Sequence, residues 1–366
     1  ACKIRNVDVS HFFIMNDKIL ILTPGFPENE QDSTCVPYIQ QYVIALAKKI
    51  GNENVVIVSL QYPFTRTPYI WNGIQVFPSG GKNNKSPFAY YLNLRRTRKR
   101  ISKLYKTAHF CVHAFWMGEA AFLGRYIAKK YISRFVVTFM GQDVNQGNRV
   151  MRFIDYSKTF IVTLCRFHDD TFFANYGHQA DAIIPLPIKA YPFQIDNLRT
   201  IDILFVGSFI AVKQPLQFVE IISRLKSSYP NINAVMIGEG NLMEEVKTEI
   251  SKLQLDNNIR LLGQVSHDVV FDTMSKAKIL LHTSKFEGQC LVYAEALSLG
   301  MYVVSYPVGW FDSSAKHITG KSVEELAEKV QHLFSQPLSF HQEKVINTDN
   351  IVDAYLKLYW GGQENV

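Results

Sequence analysis

Residues 278–306 read KILLHTSKFEGQCLVYAEALSLGMYVVSY. An apolar run, KILLHT, ends in a polar loop that contains Gly288. Residues 289–299 then have helical spacing and stop at Gly300, before YVVSY resumes the β-branched character. A buried strand, a loop, a helix and a second buried strand in this order make a parallel βαβ unit. Two carboxylates interrupt it, Glu287 in the loop and Glu295 in the helix among Val292, Ala294 and Ala296. The backbone N–H groups of Gln289, Cys290 and Leu291 would open the helix, and with its dipole they form an anion site. Gly288 lets a ligand approach the backbone closely. Glu295 would lie two turns in, roughly 8–10 Å along the axis. A ligand with a central diphosphate and hydroxyl-rich groups at both ends suits this pattern, because a carboxylate accepts paired hydrogen bonds from vicinal hydroxyls.

The same alternation runs through the chain. KILILT (18–23), NVVIVSL (54–60), HFCVH (109–113), RFVVTF (134–139) and TFIVT (159–163) read as strands of a first half. DILFVG (202–207), NAVMIG (233–238), IRLLG (259–263), KILLHT and YVVSY (302–306) read as strands of a second. Near-continuous apolar strands are buried on both faces, as in parallel sheets. Helical patterns at 35–50, 117–131, 214–228 and 241–254 lie between them. The segment PLPIKAYPFQIDNLRT (185–200), with three prolines, separates the halves. The expected fold is α/β, two doubly wound Rossmann-like domains facing a cleft, with ligands at the carboxyl ends of the strands. The divisions are an extension at 1–14, a first domain at 15–190, a second at 200–340, and a C-terminal segment at 341–366 whose helix caps either domain or crosses back to the first.

Composition excludes several classes. The chain of 366 residues is 47% hydrophobic and 19% charged, enough for two cores. No apolar run reaches the length of a membrane span. The N-terminal residues lack a secretory signal pattern. Five widely spaced cysteines without a CxxC pair indicate neither a disulfide framework nor a zinc site, and fit a cytoplasmic protein. His109 and His113 lack the glutamate that a zinc protease helix needs, and read as residues of a strand. IGEGNLM (237–243) lacks the third glycine of a dinucleotide fingerprint and places an acid between its glycines, which excludes nicotinamide binding. VGSFIAVKQP puts Gly207 at a strand end and Lys213 before the next helix, where a lysine can reach the same diphosphate.

Taken together, FVGSFIAVKQP, VMIGEGNLM, IRLLGQV and the opening stretch resemble the donor domain of retaining glycosyltransferase family 4, of GT-B fold. EGQCLVYAE matches that family's E-x7-E motif. The resemblance is strong over about 200–310, and weaker through VHAFW (112–116), VVTFMGQD (136–143) and IIPLPI (183–188). It implies a nucleotide diphosphate sugar donor, UDP- or GDP-linked, and no metal ion. Glu287 and Lys213 would be catalytic, the first on the sugar hydroxyls and the second on the leaving diphosphate. Glu295 would hold the ribose, and the amides of Gln289, Cys290 and Leu291 the phosphates. Gly207, Ser208 and Gly288 would line the donor, and Gln264 and Val265 the base. Gly25, His113 and Asp143 would stand on the acceptor side. Three positions depart from the family. Ser208 stands where an arginine is usual, Met140 where a histidine is, and only Gly25 remains of a glycine pair.

Between Asn54 and Gly118 there are ten Lys or Arg and no Asp or Glu. The formal net charge of +7 is therefore concentrated there. In YYLNLRRTRKRISKLYKTA (90–108), Tyr90, Leu94, Ile101, Leu104 and Ala108 form an apolar stripe. Arg95, Arg96, Arg98, Lys99, Arg100, Lys103 and Lys106 cover the rest, a surface for an anionic partner. An inner membrane face with a lipid-linked acceptor fits this surface, whereas nucleic acid lacks any accompanying recognition motif. The expected activity is retaining transfer of a hexosyl unit to a glycan or lipid-linked acceptor, in polysaccharide or glycolipid assembly. A non-catalytic sugar-nucleotide-binding relative and a sugar-nucleotide epimerase remain as alternatives.

Overall fold

The structure, a computed structural model, describes residues 17–32, 34–83, 86–188, 198–309, 314–343 and 346–361. The expected extension at 1–14 and most of the expected boundary segment lie outside the described residues. The chain divides into two compact units, Ala1–Lys189 with Asn347–Val366, and Ala190–Ile346.

The first unit contains β1 (Lys18–Gly25), α1 (Pro37–Ile50), β2 (Val55–Tyr62), β3 (Tyr69–Trp71), β4 (Ile74–Pro78), α2 (Pro87–Leu104), β5 (Phe110–Phe115), α3 (Glu119–Tyr131), β6 (Phe135–Thr138), β7 (Phe160–Thr163), α4 (Arg166–Tyr176) and β8 (Ala182–Ile183). The second contains β9 (Ile201–Val206), α5 (Pro215–Lys226), β10 (Ala234–Ile237), α6 (Met243–Lys252), β11 (Ile259–Gly263), α7 (His267–Ser275), β12 (Ala277–His282), α8 (Leu291–Ser298), β13 (Tyr302–Ser305), β14 (His317–Thr319) and α9 (Val323–Phe334). The last helix, α10 (Thr348–Trp360), belongs to the first unit.

The first sheet has eight strands in the order β3-β4-β2-β1-β5-β6-β7-β8, and the second has six in the order β11-β10-β9-β12-β13-β14. Every pairing is parallel except β3 with β4. These are two doubly wound α/β sheets. In the second sheet the strand order reverses between β9 and β12, which makes their carboxyl ends the place for a ligand.

Strand alternation feeds two cores in the second unit. Ile203, Phe205, Ile279 and Leu281 point to a layer with Phe218 and Ile222 of α5. Leu204 and Leu280 point to the opposite layer, with Phe271 of α7 and Tyr293, Ala296 and Leu297 of α8. Each fully buried aliphatic or aromatic side chain of this kind stabilises the fold by about 1.5–3 kcal/mol. The small Ala294 and Ala296 let α8 lie close to its sheet, and both are wholly enclosed.

In the first unit α10 packs on the sheet through a polar cluster. The Tyr359 hydroxyl lies 2.5 Å from that of Tyr42 and 2.5 Å from Nδ1 of His113. The other ring nitrogen of His113 lies 2.9 Å from the Thr138 hydroxyl, which is 3.0 Å from that of Tyr355.

Two local expectations are corrected. Helix α8 begins at Leu291 rather than Gln289, because Cys290 takes a left-handed conformation, φ 54°, ψ 74°. The basic helix α2 ends at Leu104, and it buries Asn93, Leu94, Thr97 and Ile101. Tyr90 stays exposed, because Asn93 and Thr97 take inward positions with internal partners. Asn93 donates to the Leu60 carbonyl, and the Thr97 hydroxyl lies 2.8 Å from that of Ser79. Among the described residues no helix is long and apolar enough to cross a membrane.

Candidate donor site of the second unit

Two loops meet where the strand order reverses. The loop after β9 is pinned by Phe209, wholly buried, whose N–H donates to the Glu239 carbonyl at 2.8 Å. Glycine is required at 238 and 240. A Cβ at Gly238 would lie 1.9 Å from the Gly207 carbonyl oxygen, and one at Gly240 2.3 Å from that of Phe209. The IGEG segment thus serves backbone packing.

The loop after β12 is stapled to the first. The Thr283 hydroxyl lies 3.1 and 2.9 Å from the carbonyls of Lys213 and Gln214, and that of Ser284 lies 3.1 Å from the Val212 carbonyl. The Lys285 N–H donates to the Val212 carbonyl at 2.8 Å. These contacts deliver Lys213 to Glu287. Its Nζ donates to Glu287 Oε1 at 2.5 Å, with the side chains only 23% and 11% exposed.

Burial alone would push the Glu287 carboxyl up. The Lys213 ammonium, His282 and hydrogen bonds from Lys213 and Ser284 outweigh it and hold the carboxyl below its usual range. Burial likewise opposes the Lys213 charge, and the Glu287 carboxylate overcomes it, so the ammonium is held above its usual value. Both groups are therefore ionised near neutrality. Burial keeps the neighbouring Cys290 thiol protonated and depresses His282 to about 4.

His282, Glu287 and Cys290 offer three metal-ligand atoms within 4.8 Å of one another. The Lys213 ammonium already sits against the carboxylate and supplies the positive charge there. This donor set therefore fits an internal ion pair better than a bound cation.

With α8 starting at Leu291, Glu295 lies one turn inside the helix, about 6 Å along its axis. It is 9% exposed and faces Nε2 of His267 at 3.3 Å. His267 begins α7, two residues after Val265, so the loop carrying exposed Gln264 and half-buried Val265 reaches the Glu295 end. The first-turn amides of α8 are those of Leu291 and Val292, since the Tyr293 N–H returns to the Cys290 carbonyl at 3.0 Å. Gly288 and Gln289 are buried in the loop. Gly207 is half-buried and Ser208 exposed at the end of β9. Gly309, at φ +74°, packs under Glu287, and a Cβ there would lie 2.8 Å from the Glu287 Cβ.

The first-unit residues divide differently. Gly25 ends β1 at the reversal of its sheet order. The Asp143 carboxylate accepts from the amides of Met117, Met140 and Gly141 at 2.8, 3.0 and 2.7 Å, so it shapes its own loop. His113 is wholly enclosed and both ring nitrogens have partners, which places it in the core with no exposed atom. Of the basic residues of α2 and the turn after it, Arg95, Arg96, Lys99, Lys103 and Lys106 are exposed. Arg98 lies 4.0 Å over the Tyr126 ring, and Arg100 donates to the carbonyls of Pro78 and Arg66 at 2.7 and 3.0 Å. These two therefore carry structural contacts of the unit.

The sequence reading did not single out His267, His282 or Tyr293. His282 had a signal: an imidazole closing an otherwise apolar strand must find polar partners.

Residues 191–348 match the family model for glycosyl transferases group 1, so the chain carries a glycosyltransferase-family domain there. A human phosphatidylinositol N-acetylglucosaminyltransferase subunit is 29% identical over 184 residues, 48% of this chain and 37% of that protein. The chain spans only about a third of the length of such curated relatives. Among solved structures, a sucrose-phosphate synthase from Thermosynechococcus elongatus superposes with a TM-score of 0.69 at 14% identity, covering 93% of this chain and 95% of that one. Anabaena HepE, solved in complex with UDP and glucose, gives 0.65 at 13% identity, covering 94% and 95%. These two share the fold.

Proposed function

We propose that the chain is a retaining glycosyltransferase that moves a hexosyl unit from a nucleotide diphosphate sugar to a glycan or lipid-linked acceptor. One observation carries this reading: the buried Lys213–Glu287 pair at the reversal of the second sheet, beside the first turn of a helix that holds Glu295. In this reading the diphosphate lies against the first-turn amides of α8 and near Lys213, whose charge offsets the negative charge that grows on the leaving group. Glu287 accepts hydrogen bonds from the transferred sugar, and Glu295 from the ribose. Gln264 and Val265 line the base. The acceptor hydroxyl attacks on the face the diphosphate leaves, and a donor phosphate oxygen takes its proton. Gly25 and the loop shaped by Asp143 serve the acceptor.

The designation of the human relative supports a lipid-linked acceptor and companion subunits. The exposed basic face of α2 supports an anionic membrane surface on the cytoplasmic side, at roughly 1 kcal/mol per basic residue. A groove of about 320 Å³ lined by Arg66, Lys82, Phe88 and Arg96 adds both charge and apolar surface there.

Ser208 and Met140 favour a second reading, a sugar-nucleotide-binding protein without transfer activity. A thermal-shift screen over UDP, GDP, ADP and their sugars, followed by donor hydrolysis, separates the two. Stabilisation by one nucleotide together with hydrolysis of its sugar is the expected result. Stabilisation without hydrolysis or transfer selects the second reading, and a product sugar isomerised without acceptor selects an epimerase. No stabilisation by any nucleotide overturns both of the first two.

A further inference from the structure

One groove of the first unit gathers positive charge with no acid to balance it. Its volume of about 320 Å³ lies at the small end of the roughly 300–1,000 Å³ of small-ligand sites. Arg66, Lys82 and Arg96 line it, together with Phe88, Leu92 and Asn93. The three cations are exposed, and among the described residues none has an ion-pair partner. The stretch that builds the groove lies wholly between Asn54 and Gly118, where no Asp or Glu occurs. Glu119, the first acid after it, is half-buried and engaged with the side-chain amide of Gln61.

The walls are held in place by backbone contacts. The N–H groups of Gly81 and Lys82 donate to the carbonyls of Leu60 and Gln61 at 3.0 and 3.1 Å, which ties the 80–82 turn to the end of β2. Asn93 donates to the same Leu60 carbonyl at 3.2 Å and brings α2 to that turn. Arg100 donates to the carbonyls of Pro78 and Arg66, and so fixes the backbone that carries Arg66. Gly80, at φ +62°, makes room for this approach, since a Cβ there would lie 2.7 Å from the Thr65 carbonyl oxygen and 2.9 Å from Arg66 Cγ. Burial and then the Arg66 charge hold the Arg100 guanidinium below its usual value, so positive charge crowds this end of the groove. A bound anion relieves such crowding.

The other lining is apolar. Phe88, in the first turn of α2, is 71% exposed, and Leu92 lies one turn further on the same face. An inorganic anion would use only the cations, and an uncharged lipid only the apolar wall. A ligand with a phosphate next to an apolar body uses both. A phosphomonoester suits three cations better than a diester, because it carries about −1.5 to −2 charge at pH 7 and three acceptor oxygens, which guanidinium forks grip in pairs.

We propose that this groove binds the phosphomonoester headgroup of a membrane amphiphile, with Arg66, Lys82 and Arg96 on the phosphate and Phe88 and Leu92 against the apolar part beside it. The proposal rests on the membrane reading above and deepens it. The basic face of α2 attracts any anionic surface, whereas the groove selects one headgroup. Diffuse attraction depends on how many cations there are, and a built site depends on which ones they are.

The test compares binding of the full chain to two sets of phosphatidylcholine vesicles at low salt. One carries phosphatidic acid, a monoester, and the other phosphatidylglycerol, a diester, with the two matched in zeta potential. Wild-type protein should prefer the first by about tenfold, the scale of one charge-assisted hydrogen bond. Arg66→Gln, Lys82→Gln and Arg96→Gln together should remove that preference. Arg95→Gln, Lys99→Gln and Lys103→Gln remove the same charge from α2 outside the groove, and should weaken both bindings alike and keep the preference. Equal binding of the two lipids by the wild type, or equal loss of the preference in both triple variants, overturns the site and leaves diffuse attraction. Inorganic phosphate matched to the lipid concentration should leave the preference intact; its removal assigns the groove to free phosphate and overturns the lipid assignment. The wild-type comparison needs no variant to fold. If the wild type binds neither vesicle, the membrane reading fails, and thermal stabilisation by soluble dihexanoyl phosphatidic acid, present in the wild type and lost in the groove variant, still decides whether the groove takes the headgroup.

Discussion

Replacing Lys213 with methionine keeps most of the side-chain volume and removes the charge that balances Glu287. The carboxylate then stands largely buried without its cation, a situation that costs about 3–5 kcal/mol in other buried pairs. Here the cost has a ceiling, because the carboxyl can protonate instead. From an ordinary value of 4.5, protonation at pH 7 costs about 3.4 kcal/mol and at pH 5 about 0.7 kcal/mol, at 1.36 kcal/mol per pH unit. The wild-type carboxyl, held below 4.5, stays charged over this range. The destabilisation by Lys213→Met should therefore be up to about 3 kcal/mol at pH 7 and under about 1 kcal/mol at pH 5. Adding Glu287→Gln should recover most of the loss at pH 7. Hydrogen exchange of peptides from β12 and α8, followed through added denaturant, reads the second unit separately from the first. A penalty that is equal at both pH values, or a double variant no more stable than the single one, would refute the assignment of a buried charged pair.

Glu295→Ala should remove the thermal stabilisation by the free nucleotide, whereas Glu287→Gln should keep it and lose the added effect of the sugar. Equal losses in both variants would contradict the division of the two carboxylates. Three buried histidines, His113 at about 3 and His282 and His317 at about 4, stay neutral when folded but take protons near 6.5 when unfolded. The unfolded state then binds more protons, so their contribution, complete above pH 6.5, is lost as pH falls toward 4, by up to about 2 kcal/mol each at pH 5. Urea unfolding across that range measures it, and a flat profile contradicts it. Gly309→Ala should displace the Glu287 backbone and abolish donor hydrolysis, since the position is left-handed and a Cβ there meets that of Glu287; retained activity would show that the loop can relax. Reversing Arg96, Lys99 and Lys103 to glutamate should end binding to anionic vesicles at low salt, and binding by the wild type should weaken as salt rises. Vesicle binding that survives the reversal assigns the membrane contact to another surface.

The parallel strands were legible because burial on both faces leaves continuous apolar runs, as Ile19 to Leu22 and Ile279 to Leu281 show at 0% exposure. The loop with Glu287 was legible for the opposite reason, a carboxylate and glycine at the end of such a run. The start of α8 was not. Cys290 is left-handed and packs beside Gly309, and nothing local to Gln289 and Cys290 announces that. Strand β3 is three residues long, too short for alternation to register. Helix α9 carried a readable start, since Ser322 caps the N–H of Glu325 while Glu325 accepts from the Lys321 N–H. His113 was placed on the acceptor side by the resemblance of VHAFW alone, whereas the structure encloses it among core partners. Its partner Tyr359 lies 246 positions away, beyond the reach of any local pattern.

The placement of α10 has a consequence for synthesis. The second unit is inserted in sequence within the first, so the ribosome completes Ala190–Ile346 before it releases Tyr355 and Tyr359. During that interval β5 and β6 carry a histidine and a threonine that are destined for burial and still lack their tyrosine partners. A buried polar group without a partner costs about 1–3 kcal/mol, so the nascent first unit must hold this face open or half-formed. The usual order, in which the N-terminal domain folds first, is thereby inverted. The unit begun first is finished last, and it is the one with an unsealed polar face to protect while its neighbour takes shape.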